Sequence, residues 1–120
     1  MVEEEVATYM IRVYDDGGAE ATHDSLNFFR LNVGLLGEVK TIHIDDRRKY
    51  AMEIISRTKN VVFLLSGVGC GYRGTAPTGS ITVLRTLGIR DKEIEAVIEL
   101  KPHVTIQFDL DGVPHLEATH

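Results

Sequence analysis

Val61-Val62-Phe63-Leu64-Leu65 is the longest unbroken apolar run of the chain. It leads directly into Ser66-Gly67-Val68-Gly69-Cys70-Gly71-Tyr72-Arg73-Gly74-Thr75-Ala76-Pro77-Thr78-Gly79-Ser80, a segment with five of the eleven glycines. A short run that is apolar at every position, not at alternate ones, predicts a central strand covered on both faces. It is also far shorter than the about 20 apolar residues that cross a bilayer, so no membrane partner is expected. The glycines predict an irregular loop, because glycine tolerates positive φ and close backbone approach. Pro77 and Gly79 extend that loop to about residue 79. A short helix over 80–87 then follows, with Thr78 or Ser80 as cap and Gly88 as terminator.

Before this segment, residues 6–14 hold Val6, Tyr9, Ile11, Val13 and Tyr14 and read as a strand. Asp15-Asp16-Gly17-Gly18 breaks it. Over 22–36, Leu26, Phe29, Val33 and Leu36 recur at spacings of three and four and define one face of a helix. Thr22 or Asp24 is positioned to cap its start and Gly37 to end it. Residues 38–44 alternate as a short strand, with Val39, Thr41 and His43 opposite Lys40, Ile42 and Ile44. Asp45 or Asp46 then reads as the cap of a second helix running to about Lys59.

Beyond Gly88, residues 94–100 fit a strand by alternation and a helix through Ile94, Val97 and Ile98. Pro102 ends that stretch. Val104, Ile106, Phe108 and Leu110 alternate with polar residues and begin a hairpin whose register can be tested. A two-residue turn at Asp111-Gly112 would pair Phe108 with His115 and mix apolar with polar. A three-residue loop, Leu110-Asp111-Gly112, pairs Ile106 with Leu116, Gln107 with His115 and Phe108 with Pro114, and sorts the faces. Pro114 then belongs on an edge strand. The 120 residues suit one domain, 1–120. Its expected class is α+β: a mixed, largely antiparallel sheet of about five or six strands with two to three helices. Exposed sheet edges make a homo-oligomer the expected assembly.

Composition narrows the function classes. Thirteen basic residues face eighteen acidic ones, for a formal charge of −5. The one basic cluster, Arg47-Arg48-Lys49, follows two aspartates, so no basic face for phosphate backbones is expected and nucleic acid is not an expected partner. Cys70 is the sole cysteine, which rules out an intramolecular disulfide and fits a reducing compartment. With the acidic Met1-Val2-Glu3-Glu4-Glu5 start, the expected location is cytoplasmic.

The glycine-rich loop is the candidate site. A loop that opens a helix offers free N–H groups and partial positive charge to an anion. Arg73 adds a planar donor fork, and Thr75, Thr78 and Ser80 add hydroxyls. The expected ligand-binding residues are Gly69, Cys70, Gly71, Arg73, Gly74, Thr75, Thr78 and Ser80, and the expected ligand is an anionic small molecule bearing phosphate or carboxylate. Gly69 to Gly74 matches G-x-G-x-x-G, yet the irregular run to 79 and the unconvincing placement of Glu93 and Glu95 argue against a dinucleotide site. The same glycines give phosphate-loop spacing but lack its lysine. No cofactor is implied.

Two rival readings stand beside this one. The loop could serve as a subunit contact in a structural or regulatory homo-oligomer. Alternatively Cys70 could be the nucleophile of a thiol-dependent enzyme, with His43, His103 or His115 as base. His103, Asp109, Asp111 and His115 crowd the last hairpin without a metal-site spacing, so no metal is expected. His23, Asp24 and Ser25 are adjacent and cannot face one another as a triad. Tyr9 and Tyr14, with Phe28, Phe29, Phe63 and Phe108, read as core or interface positions.

Overall fold

In the computed structural model the residues described are 11–17, 21–65 and 67–117. Among them the order is β1 (Arg12–Tyr14), α1 (Ala21–Asn32), a 3-10 turn (Val33–Leu35), β2 (Val39–Asp45), β3 (Met52–Ser56), β4 (Val61–Leu64), α2 (Thr75–Thr86), α3 (Lys92–Leu100), β5 (His103–Phe108) and β6 (Pro114–Leu116). The six strands form one sheet in the order β1-β4-β3-β2-β5-β6. Only β1 and β4 run parallel; every other pair is antiparallel. The protein is therefore α+β, with a mixed, mostly antiparallel sheet and, among the described residues, three α-helices. The expected strand over 6–14 lies partly outside the described residues.

Strand alternation builds the core. Ile42 and Ile44, Met52 and Ile54, Val62 and Leu64, and Val104, Ile106 and Phe108 form one buried face. Phe29 and Leu36, Val83 and Leu84, and Ile94 and Ile98 close over it from the helical segments. The helix over 22–36 is borne out as α1 plus the 3-10 turn, with Gly37 in the left-handed region at φ 55°. Lys40 marks an irregularity in β2: the register shifts between Val39 and Thr41, and Val39 packs with the core instead of sharing the face of Thr41 and His43.

Residues 46–59 correct the sequence reading. They form a turn and β3, not a helix. Asp45 does not cap a helix. Its carboxylate accepts from the Arg47 N–H at 3.0 Å and from the Arg47 guanidinium, shaping a tight turn closed by Asp45 N–H to Ala51 O at 2.8 Å. Met52 and Ile54 then fill the core between β2 and β4, a pairing that supplies ladder hydrogen bonds on both sides. Ser56 N–H to Asn60 O and Lys59 at φ 70° close the next turn.

Two further elements differ from or resolve the expectation. The helix expected over 80–87 begins at Thr75. Pro77 falls in its first turn, where its missing N–H would have had no intrahelical acceptor. Residues 93–100, ambiguous in sequence, are helical as α3, with Asp91 accepting from the N–H groups of Glu93 and Ile94. The hairpin register is as read. Ile106 faces Leu116, Gln107 faces His115, Phe108 faces Pro114, and Gly112 has φ 81°. Among the described residues no helix covers the second face of β4, although its continuous apolar run predicts cover on both faces. On the outer face, Phe63 stacks on Tyr14 at 4.5 Å between ring centroids, and Tyr50 meets it edge-on at 5.7 Å. Polar pairs continue that face: Thr41 donates to Gln107 at 2.8 Å, and His43 Nδ1 lies 3.1 Å from the Thr105 hydroxyl.

Candidate functional site

The parallel strands β1 and β4 end side by side, and one carboxylate joins their exits. Asp15 is 2% exposed. It accepts from the Ser25 hydroxyl at 2.6 Å, from Gly17 N–H at 2.9 Å and from Leu65 N–H at 3.1 Å. Each of those bonds is charge-assisted. Asp15 thus fixes the start of the glycine-rich loop to α1. Sequence reasoning took it only as a chain breaker. The available signal was an acidic residue placed directly at a strand end.

From there the loop runs inward. Gly67, Val68, Gly69 and Cys70 are all buried. Gly79 on α2 lies so close to Gly67 that an added Cβ would sit 2.9 Å from the Gly67 carbonyl oxygen and 2.9 Å from Thr22 Cγ2. A side chain at Gly67 would overlap the Ala21 carbonyl. These two glycines therefore let the loop, α1 and α2 meet at backbone distance. Gly69 is held by a single side chain. Its N–H donates to Ser80 Oγ at 2.8 Å, and the Ser80 hydroxyl donates to its carbonyl at 2.7 Å. Ser80 is fully buried, so these bonds, with a longer one to Ala76 O at 3.4 Å, belong to the scaffold.

Cys70 is 1% exposed, with Sγ 3.3 Å from Pro102 O and 3.7 Å from Ile44 O. Burial pushes its thiol up to about 11, helped by the negative charges of Asp46 and Asp45 and opposed by the Asp46 N–H and Arg47. No histidine is bonded to it among the described residues. The loop then turns outward at Gly71, with φ 92° and its N–H donating to Ile98 O at 2.7 Å.

Residues 71–75 form an exposed rim. Arg73 projects into solvent with its side chain 88% exposed, and its Nε lies 3.7 Å from Glu99 Oε1. A surface pair of that length holds the guanidinium only loosely. The Tyr72 ring folds against Gly74. Partial burial raises the Tyr72 phenol, with Asp46 adding to the effect. Gly74 precedes α2, whose N-terminus has no side-chain cap. The Thr78 hydroxyl turns back to Gly74 O at 2.8 Å.

The eight expected ligand-binding residues therefore divide. Gly71, Arg73, Gly74, Thr75 and Thr78 come together at the surface, whereas Gly69, Cys70 and Ser80 lie beneath it as support. The early start of α2 removes one objection to a dinucleotide site, but a topological one replaces it. The strand after α2 and α3 is β5, which pairs antiparallel with β2 far from β4. Glu93 and Glu95 sit on α3, with Glu95 paired to Arg85 at 2.8 Å. That is not the parallel βαβ unit such a site requires.

Among the described residues no group of three or more His, Cys, Asp or Glu side chains could hold a metal ion. His115 pairs with Asp109 at 3.0 Å, while His103 stands at the far end of β5 opposite Asp45. Ser25 is committed to Asp15, and His23 contacts Asn27 at 3.2 Å. No described helix is long and apolar enough to cross a membrane. A cavity of about 430 Å³ lies elsewhere, and none of the eight residues lines it. No family model, curated protein or solved structure matches the chain.

Proposed function

We propose that this protein binds an anionic small molecule at the rim of the glycine-rich loop. The observation that carries the reading is the uncapped N-terminus of α2 beside a loosely tethered Arg73. The first-turn N–H groups at 75 and 76 have no intrahelical acceptor and point toward the rim, with the positive end of the helix dipole behind them. A phosphate or carboxylate seated there would gain those donors, the Arg73 fork and the Thr75 hydroxyl. Gly69, Cys70 and Ser80 keep the rim in place from below. We further read the chain as cytoplasmic, with its one cysteine buried and reduced.

The test is a thermal-shift series against phosphate, nucleotides, sugar phosphates and dicarboxylates, repeated with Arg73→Ala. A ligand at about 100 times its Kd raises stability by about 2.7 kcal/mol, a shift of several degrees. Arg73→Ala should remove the shift and leave the melting temperature of the free protein unchanged. A panel without a response would sink the reading. A second reading, a homo-oligomer, is favoured by Leu110, Val113 and Leu116, which are exposed together on the edge hairpin, and by the exposed Tyr72 on the loop. Sedimentation of Leu116→Lys and Tyr72→Ser separates these two contacts. A monomer at high concentration in the parent protein removes both.

A further inference from the structure

We propose that the cavity between the α2–α3 connection and the β5–β6 hairpin is a second, separate binding site, for a singly charged organic oxyanion with a short apolar body. Its volume, about 430 Å³, lies within the range of about 300–1,000 Å³ typical of small-molecule sites. Leu87, Ile89 and Phe108 give it an apolar lining. Arg57 and Arg90 line the same space, and neither forms an ion pair among the described residues.

The state of Arg57 is the telling feature. It follows β3 directly and is only partly exposed. Its Nη2 donates to the carbonyl oxygens of Phe108 and Asp109, which orient the guanidinium plane without neutralising its charge. The remaining N–H donors of a guanidinium held in this way are preorganised for an oxyanion, so less entropy is lost on binding. Arg90 supplies a second positive charge from the loop before α3; its field also reaches Glu95. Two acids share the lining and set the charge preference. The Asp91 carboxylate is engaged by the N–H groups of Glu93 and Ile94, whereas the exposed Glu38 carboxylate makes no hydrogen bond among the described residues, its residue being held through the carbonyl by the Arg57 N–H at 2.9 Å. With two carboxylates beside the two arginines the lining carries no net positive charge, so a dianion meets more repulsion than a monoanion paired with the guanidinium fork.

The inference does not rest on the loop rim, and one experiment separates the two sites. The protein is titrated with benzoate, with phenyl phosphate and with inorganic phosphate while backbone amide shifts are followed by NMR. Saturable shifts at Gly88, Ile89, Arg90 and Gly112 are expected with benzoate, weaker ones with phenyl phosphate as its second charge ionises, and none with inorganic phosphate, which has no apolar body. Arg90→Gln, at an exposed position that should not disturb folding, should weaken benzoate about tenfold, the loss of one charge-assisted bond. Arg57→Gln should do the same; if that variant fails to fold, Arg90→Gln decides alone. Shifts confined to residues 71–76 would overturn the cavity site and support the rim. Shifts at 88–90 that persist unchanged in Arg90→Gln overturn the arginine assignment, and no saturable shift with benzoate overturns the site itself.

Discussion

Replacing Ser80 with alanine tests whether this hydroxyl serves the scaffold. The substitution deletes the one atom that bonds both the N–H and the C=O of Gly69, at 2.8 and 2.7 Å in a fully buried setting. Each buried backbone group left without a partner costs about 1–3 kcal/mol, so the pair costs about 2–4 kcal/mol after partial relaxation. Alanine returns about 0.5 kcal/mol through helix propensity. The net loss is about 1.5–3.5 kcal/mol, read in urea unfolding as a lower midpoint at constant slope. In a domain of this size it lowers the melting temperature by about 6–14 °C. Thr86→Ala is the matched control on the same helix. Its hydroxyl bonds Thr82 O at 2.9 Å from an exposed position, and its loss should stay within about 0.5 kcal/mol. A Ser80→Ala loss below about 1 kcal/mol would refute the argument, because Gly69 would then have another source of hydrogen bonds.

Gly79→Ala should destabilise by about 1–2 kcal/mol although alanine is the better helix former, because the new methyl meets the Gly67 carbonyl and Thr22 at 2.9 Å; a more stable variant in the same urea assay would show that α1 and α2 can separate freely. Cys70 should resist iodoacetamide at pH 7.5 in the native state and react once the protein is unfolded, since a thiol pushed up to about 11 is thiolate only to the order of 0.03%. Rapid native labelling counted by mass spectrometry would reopen the nucleophile reading. The Arg85 guanidinium bonded to Glu95 holds that carboxyl below its ordinary value. The stabilisation from this pair is therefore fully present above the ordinary carboxyl range and fades as pH falls through the lowered value. Arg85→Gln should move the Glu95 titration upward by NMR, and an unmoved titration would show that the pair is open in solution.

The last hairpin was legible in the sequence because everything that sets its register is local. Only the three-residue loop at Leu110-Asp111-Gly112 sorts apolar from polar residues, and strand alternation does the rest. The same holds for α1, whose apolar residues at spacings of three and four had one geometry to satisfy. Residues 46–59 were different. Asp45 is equally suited to capping a helix or closing a turn, and Tyr50, Met52, Ile54 and Ile55 serve either period. The choice fell to β2 and β4, whose backbone groups find partners only when β3 lies between them. The glycine-rich loop shows the same limit. An absent side chain reads alike whether it admits a ligand or a neighbouring backbone. Gly67 and Gly79 pack against α1, which precedes them by dozens of residues, and Ser80 turns inward to Gly69, not outward to solvent. Local chemistry marked this segment as unusual. Only the meeting of distant elements separated its buried support from its exposed rim, because burial is a property of the folded whole.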